Sequence, residues 1–426
     1  MTGRHLLVFS HLRWDFVYQR PQHLLSRLAR HYPVLFVEEP VYDVTAPAHL
    51  EVAQPCEGVV LLRPHTPVAA GGFHDDQLSV LAPLLQHHLA EHAVDDLIAW
   101  FYTPMALPLI TGLAVHAVVY DCMDELAAFK GAPKQMRQRE SALLKQADLV
   151  LTGGPSLYEA KRALNPHVHC LPSAVDAPHF APRRAALSDA AHRAQRHLPP
   201  PRLGYYGVID ERLDLPLVTA LADADPRWQV VMAGPVVKID PAALPQRPNL
   251  HWLGRQAYED LPALVAGWDV CLLPFALNQA TRYISPTKTL EYMAAEKPVV
   301  STAIQDVIGM YGHAVQIGHD RQAFIAACAA ALDETPSQRT ERIAQMWGCV
   351  MRMSWDDTAA TVLQLLDDAV GARRGRVEPS AAPDEQQPLD VPLDAAAAVA
   401  LPVPTALAAQ PAVDAQPVLP AVAGAR

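Results

Sequence analysis

The stretch 282-RYISPTKTLEYMAAEKPVV-300 holds a cation and a carboxylate three residues apart, Lys288 and Glu291, just after Ser-Pro-Thr. Residues three apart on a helix are neighbours, so the two share a face. Ser285 is a good N-cap and Pro286 suits a first helical position, so the spacing predicts a helix starting at Pro286. Leu290, Met293 and Ala294 then read as its buried face, and Pro298 stops it. A helix N-terminus offers free N–H groups and a positive dipole end. With Ser285, Thr287 and Lys288 around its first turn it is an anion site, for phosphate above all. Glu291 lies deeper, on the order of 5 Å along the axis, where a carboxylate can accept hydrogen bonds from a diol such as a ribose. Cation, helix end and diol acceptor together suit a nucleoside diphosphate. The alternative is an exposed Lys–Glu pair worth roughly 0.3 kcal/mol.

Such a helix needs a sheet to position it. The first half of the chain offers β-rich runs at 5-HLLVFS-10, 34-VLFVEE-39, 58-GVVLLR-63, 97-LIAWFY-102, 117-AVVYD-121, 148-DLVLTGG-154 and 168-VHCLPS-173. Helical patterns such as 21-PQHLLSRLARHY-32 and 135-QMRQRESALLKQA-147 lie between them. The rhythm restarts at 203-LGYYGVI-209 and runs through 228-WQVVMAG-234, 250-LHWLG-254, 269-DVCLLPF-275 and 298-PVVST-302. Alternation of this kind marks buried parallel sheets. Two series give an α/β chain of two Rossmann-like domains. The expected organisation is a first domain over 1–180, a linker over 181–200, a second domain over 201–355, a helix over 356–370 and a disordered Ala/Pro-rich tail over 371–426.

The turn after the first strand, 11-HLRWDFVYQR-20, has no glycine, which argues against NAD or FAD there. An aromatic- and arginine-rich loop with Asp15 stands in its place, at the strand edge where open α/β sheets bind ligands. The alternative is a loop packed onto its own domain. The run 88-HLAEH-92 matches a metalloprotease pattern and 167-HVHC-170 pairs two histidines on a strand face, but neither has further ligands, so no metal is expected.

Composition narrows the classes. The formal charge of -11 over 426 residues argues against a nucleic-acid binder. The first 30 residues run the other way, with Arg4, Arg13, Arg20, Arg27 and Arg30 against Asp15 alone. Such a patch could meet an anionic membrane surface or a phosphorylated substrate; the plainer reading is a solvated face. The six scattered cysteines, at 56, 122, 170, 271, 328 and 349, read as core thiols in a reducing compartment. No signal peptide or spanning segment is visible, so the expectation is the cytoplasm, with peripheral contact to the inner membrane face as an addition.

Several stretches carry a resemblance to a known family. The segments 203-LGYYGVIDERLDLPLVTALADADPRWQVVMAGP-235, 249-NLHWLGRQAYEDLPALVAGWDVCLLPF-275 and 285-SPTKTLEYMAAEKPVVST-302 resemble the donor domain of GT-B glycosyltransferases. In the first half 148-DLVLTGGPSLYEAKR-162 and 169-HCLPSAVDAPHF-180 resemble the end of the acceptor domain. The stretches 10-SHLRWDFVYQRPQHLLSRLA-29 and 119-VYDCMDELAAFKG-131 are similar to a bacterial subgroup acting on cell-surface polysaccharides. The resemblance implies transfer of a sugar from a nucleoside-diphosphate donor, a UDP- or GDP-sugar serving as substrate, to a glycan or lipid-linked acceptor, with no cofactor and no metal. It implies that Glu291 holds the ribose and that Lys288, with an arginine from the first donor-domain loop, holds the diphosphate. Arg212 in 207-GVIDER-212 is the candidate. An inverting reaction needs a base at the acceptor hydroxyl, with Asp15, Asp121 and Asp124 as contenders; local helix capping is the alternative for the last two. Two departures stand out. Tyr283 occupies a position where many retaining relatives carry Glu, and Glu296 replaces the glycine of Ala-Gly-Lys-Pro. Two other functions remain open: a non-hydrolysing nucleotide-sugar epimerase, and a non-catalytic subunit that binds nucleotide sugars.

Overall fold

In a computed structural model the described residues are 3–181 and 194–377, with side chains through Arg373. Most of the tail, and the middle of the expected linker, lie outside them. The described residues fall in one compact unit built on two sheets.

The first sheet contains β1 (His5–Ser10), β2 (Val34–Glu38), β3 (Val41–Tyr42), β4 (His49–Cys56), β5 (Val59–Thr66), β6 (Leu97–Phe101), β7 (Val115–Cys122), β8 (Leu149–Thr152) and β9 (Val168–Cys170). Their order is β3-β5-β2-β1-β6-β7-β8-β9, parallel throughout, with β4 antiparallel on β5. The central strands are apolar on both faces, as helix-covered parallel strands must be: Leu6 to Phe9, and Leu97 to Phe101, are buried without exception. The second sheet contains β10 (Arg202–Tyr206), β11 (Gln229–Ala233), β12 (Leu250–Gly254), β13 (Val270–Leu273), β14 (Val299–Thr302) and β15 (Gln316–Gly318), all parallel in the order β12-β11-β10-β13-β14-β15. In both sheets the strand order reverses beside the first strand of the series, the topological switch at which open sheets bind ligands.

The last described helix, Trp355–Val377, leaves the second half and returns to the first. Ala359, Val362, Leu366, Ala369 and Val370 recur at helical spacing and join the core of Leu24, Leu25, Leu28, Ile98 and Trp100. Tyr32 donates to Asp367 at 2.9 Å, and Arg27 meets Asp356 at 2.7 Å. The tail was expected to begin at Gly371, and the helix runs past that point to Val377. Arg373, paired with Asp148, holds that extra turn.

Four of the five N-terminal arginines are ion-paired. Arg4 pairs with Asp96, Arg13 with Glu38, Arg20 with Asp121 and Arg27 with Asp356. Three of those partners lie more than 90 residues away in sequence, so a local charge count could not see them. All six cysteines are unpaired thiols. No described helix is long and apolar enough to cross a membrane.

Candidate active site

The carboxyl ends of both sheets face one cavity of about 340 Å³. From the first half it is lined by the loop Trp14–Gln19 and by Met123 and Asp124, and from the second half by Tyr205–Val208, Arg212, Gly234, Arg255–Glu259 and Ile284–Lys288 with Glu291. The aromatic loop after β1 therefore contributes to the cleft.

The helix predicted from Pro286 begins later and is short, Lys288–Ala294. Ser285 does not cap it: its hydroxyl lies 4.0 Å from the Met310 sulfur. Packing is the reason. Ser285 sits against Gly154, where a Cβ would come within 2.8 Å of the serine Cβ. The amides of Thr289, Leu290 and Glu291 already donate to Pro286 and Thr287 at 3.1–3.4 Å. The positive groups this helix start offers the cavity are accordingly side-chain cations more than a row of free amides.

Lys288 threads over Gly207, where a Cβ would stand 2.1 Å from the lysine Cε. Gly207 is also at φ 141°, so glycine is needed twice over. The ammonium lies 5.7 Å from the Tyr205 ring centroid and meets no hydrogen-bond acceptor among the described residues. Burial lowers its pKa, and the nearby Glu291 carboxylate works against that. Glu291 is 8 % exposed. Its Oε2 accepts from the Tyr206 hydroxyl, which leaves Oε1 for a ligand. Burial raises its pKa, opposed by the Tyr206 hydrogen bond and by Lys288.

Arg212 lines the same cavity. Its Nε and Nη2 are held by Asp210 at 2.8–3.1 Å, so Nη1 is the donor left over. Of the three carboxylates considered as bases, Asp124 lines the cavity, and burial raises its pKa against the pull of Arg212. Asp15 lines it with its side chain 69 % exposed, 3.3 Å from Arg63. Asp121 does not line it. It is fully buried within β7, and Arg20 Nε reaches both its oxygens at 3.0 Å. A carboxylate saturated in this way anchors the core and is not placed to take a proton.

Sequence reasoning missed the loop 254-GRQAYED-260. Arg255 donates to the Asp15 carbonyl across the cleft. Tyr258 stacks on Tyr18 at 4.5 Å and on His179 at 4.2 Å, tying both halves together. The only available signal was a polar turn at the end of a strand. Tyr283 packs against the core of the first sheet under the Arg282 guanidinium and does not line the cavity. Among the described residues no group of three or more metal-ligating side chains occurs.

Residues 202–334 match the family described as Glycosyl transferases group 1. The chain is a glycosyltransferase of the GT-B fold. Over 298 residues it is 26 % identical to TuaH of Bacillus subtilis (strain 168), a protein named for glycosyl transfer in teichuronic acid biosynthesis; the match covers 64 % of this chain and 74 % of TuaH. Among solved structures, a sucrose-phosphate synthase from Thermosynechococcus elongatus superposes with a TM-score of 0.68 at 16 % identity, covering 87 % of this glycosyltransferase and 100 % of that chain. A trehalose-6-phosphate protein from E. coli, bound with UDP-2-fluoro glucose, gives 0.63 at 15 % identity over 86 % and 99 %. Anabaena HepE in complex with UDP gives 0.59 at 14 % identity over 86 % and 99 %. These likenesses establish the fold.

Proposed function

We propose that this glycosyltransferase moves a sugar from a UDP- or GDP-sugar to a glycan or lipid-linked acceptor of a cell-surface polysaccharide. The observation that carries this reading is the convergence of Lys288, Arg212 and Glu291 on one cavity, with a free ammonium, a free guanidinium nitrogen and a free carboxylate oxygen. The cations take the diphosphate and the carboxylate takes the ribose diol. As the glycosidic bond breaks, charge grows on the leaving diphosphate, and fixed cations in a partly dehydrated cleft stabilise it. In this reading Ser285 and Thr287 border the diphosphate and Asp124, which also lines the cavity, is our candidate to meet an acceptor hydroxyl. Two solved neighbours hold UDP or a UDP-sugar analogue, which supports the donor class. TuaH supports the polysaccharide acceptor, and supports transfer over the epimerase and binding-subunit alternatives. Donors of this class are made in the cytoplasm, so we place the reaction there, at the inner membrane face where lipid-linked acceptors reside.

A thermal-shift screen over UDP, GDP, ADP and their sugars tests the donor. A ligand at a hundredfold its Kd adds about 2.7 kcal/mol to stability, a readily measured rise in Tm. One nucleoside diphosphate should stand out, and its sugar should be hydrolysed slowly or transferred. A flat response across the panel overturns the reading.

A further inference from the structure

Phe129 belongs to the first half of the chain, in the segment that follows Asp124 at the carboxyl end of β7. It sits at the end of the short 3-10 turn Leu126–Ala128. Its ring is covered by two cations from the second half. The Arg212 guanidinium carbon is 5.3 Å from the ring centroid and the Lys238 ammonium 5.0 Å. Both distances fall within the range of cation–π attraction. Lys238 reaches this position from a left-handed backbone, φ 63°, which is uncommon for a residue with a side chain. The next residue is gripped as well: Glu211 accepts from the Lys130 amide at 3.3 Å and lies 4.0 Å from the Lys238 ammonium. Residues 129–130 of one half are thus held by 211, 212 and 238 of the other.

This contact acts on the orientation of Arg212. Asp210, whose Oδ1 also accepts from the Arg212 amide at 3.0 Å, grips Nε and Nη2 along one edge of the guanidinium and leaves its faces to other contacts. The Phe129 ring, its centroid 5.3 Å from the guanidinium carbon, adds a contact that restricts tilting about that edge, on a side chain that lines the cavity. We propose that Phe129 is a positioning residue: it sets Arg212 for the diphosphate, and it does so only when the two halves are together. The proposal rests on the assignment of Arg212 to the diphosphate made above.

Calorimetric titration of the full chain with UDP, GDP and ADP, and with the matching nucleosides, tests it. The variants are Phe129→Leu and Phe129→Met, which remove the ring, Phe129→Tyr, which keeps it, Arg212→Met, and the Phe129→Leu/Arg212→Met pair. For the tightest diphosphate, loss of the ring should weaken binding about tenfold, or about 1.4 kcal/mol. Phe129→Tyr should stay within about twofold, because the ring face is retained. Nucleoside affinity should not change. The double variant should bind no more weakly than Arg212→Met alone, since a ring with no guanidinium to orient does nothing. Losses that multiply in the double variant, or ring-less variants that bind like the parent while Arg212→Met is weakened, overturn the positioning role and leave the diphosphate assignment intact. An Arg212→Met chain that binds like the parent, or a parent that binds no diphosphate, removes the assignment and the positioning role with it. Melting temperatures of the two ring-less variants identify any that misfold, and the better-folded one decides the outcome.

Discussion

At the residue scale, the chemistry of the cleft depends on charges kept where water would rather have them. Glu291 is the clearest case. Burial raises its pKa in the folded chain, so its ionised form disfavours folding. Stability from this group is full below the unfolded carboxylate pKa and declines as pH rises towards the folded one. Glu291→Gln should therefore leave the ligand-free Tm at pH 8 unchanged or higher, while weakening nucleoside diphosphate binding by about tenfold through the lost diol acceptor. Equal affinity in variant and parent, measured by calorimetry, would remove Glu291 from the site. Glu39, just beyond β2, shows the same physics at a residue no motif marked. Burial pushes its carboxyl up to about 7, against the opposing influence of Arg13 and Lys238. The unfolded chain releases this proton near the ordinary carboxylate value, and the folded chain holds it until about pH 7. Stability is then lost between those limits as pH rises. Glu39→Gln should flatten that slope and gain roughly 2 kcal/mol at pH 8 relative to pH 5, allowing for solvent screening of a partly buried group. Denaturant titrations at the two pH values check it; parallel curves for both proteins reject it. That Lys288 and Glu291 share one helix was legible in the sequence because their relation is local, three residues apart. The pairing of Asp121 was not legible, because its partner, Arg20, lies 101 residues away and no spacing rule announces a pair of that kind.

At the scale of elements, most strands declared themselves through apolar runs, and those that did not are the ones with little to bury. Strand β4 is an exposed edge of mixed polarity containing Pro55, and β15 has three residues. The start of the helix Lys288–Ala294 was misplaced because Ser285 is drawn into the contact with Gly154, a tertiary demand that local capping rules cannot include. The helix ends at Ala294, four residues before Pro298. Glu296 has φ 58°, the left-handed position where glycine is usual. The glutamate is retained at a strained position because its Oε1 accepts from the Trp347 indole at 3.0 Å, joining this helix end to the helix Pro336–Val350. Strain and hydrogen bond are each worth about 1 kcal/mol and nearly cancel. Glu296→Gly should therefore match the parent in stability within about 0.5 kcal/mol. Glu296→Ala, which keeps the strain and loses the bond, should lose about 1 kcal/mol. Urea unfolding of the pair measures the difference; an alanine variant as stable as the glycine variant contradicts this balance.

At the scale of the whole molecule, the two Rossmann-like halves were legible because their rhythm of strands starts twice. The return of the helix Trp355–Val377 to the first half was not, since an amphipathic helix does not say which core it will join. Leu366 is fully buried there among Leu24, Ile98 and Trp100. Leu366→Ala should cost about 2–5 kcal/mol, like other deletions in a filled core. Limited proteolysis of the variant should open the first half before the second. A loss below about 1 kcal/mol would mean that the helix merely rests on the surface.

That same helix imposes an order on biosynthesis. The first half leaves the ribosome with the apolar side chains of Leu24, Leu25, Ile98 and Trp100 lacking their cover. The covering residues, 355–370, emerge nearly 200 positions after β9, a delay of roughly 10–40 s at ordinary elongation rates. Over that interval the uncovered apolar surface of the first half is exposed, and the second half is made before the first is complete. Stalled chains ending at residue 354 should be cut within residues 5–170 by a protease that full-length chains resist. Equal resistance of the two would show that the first half folds without its last helix.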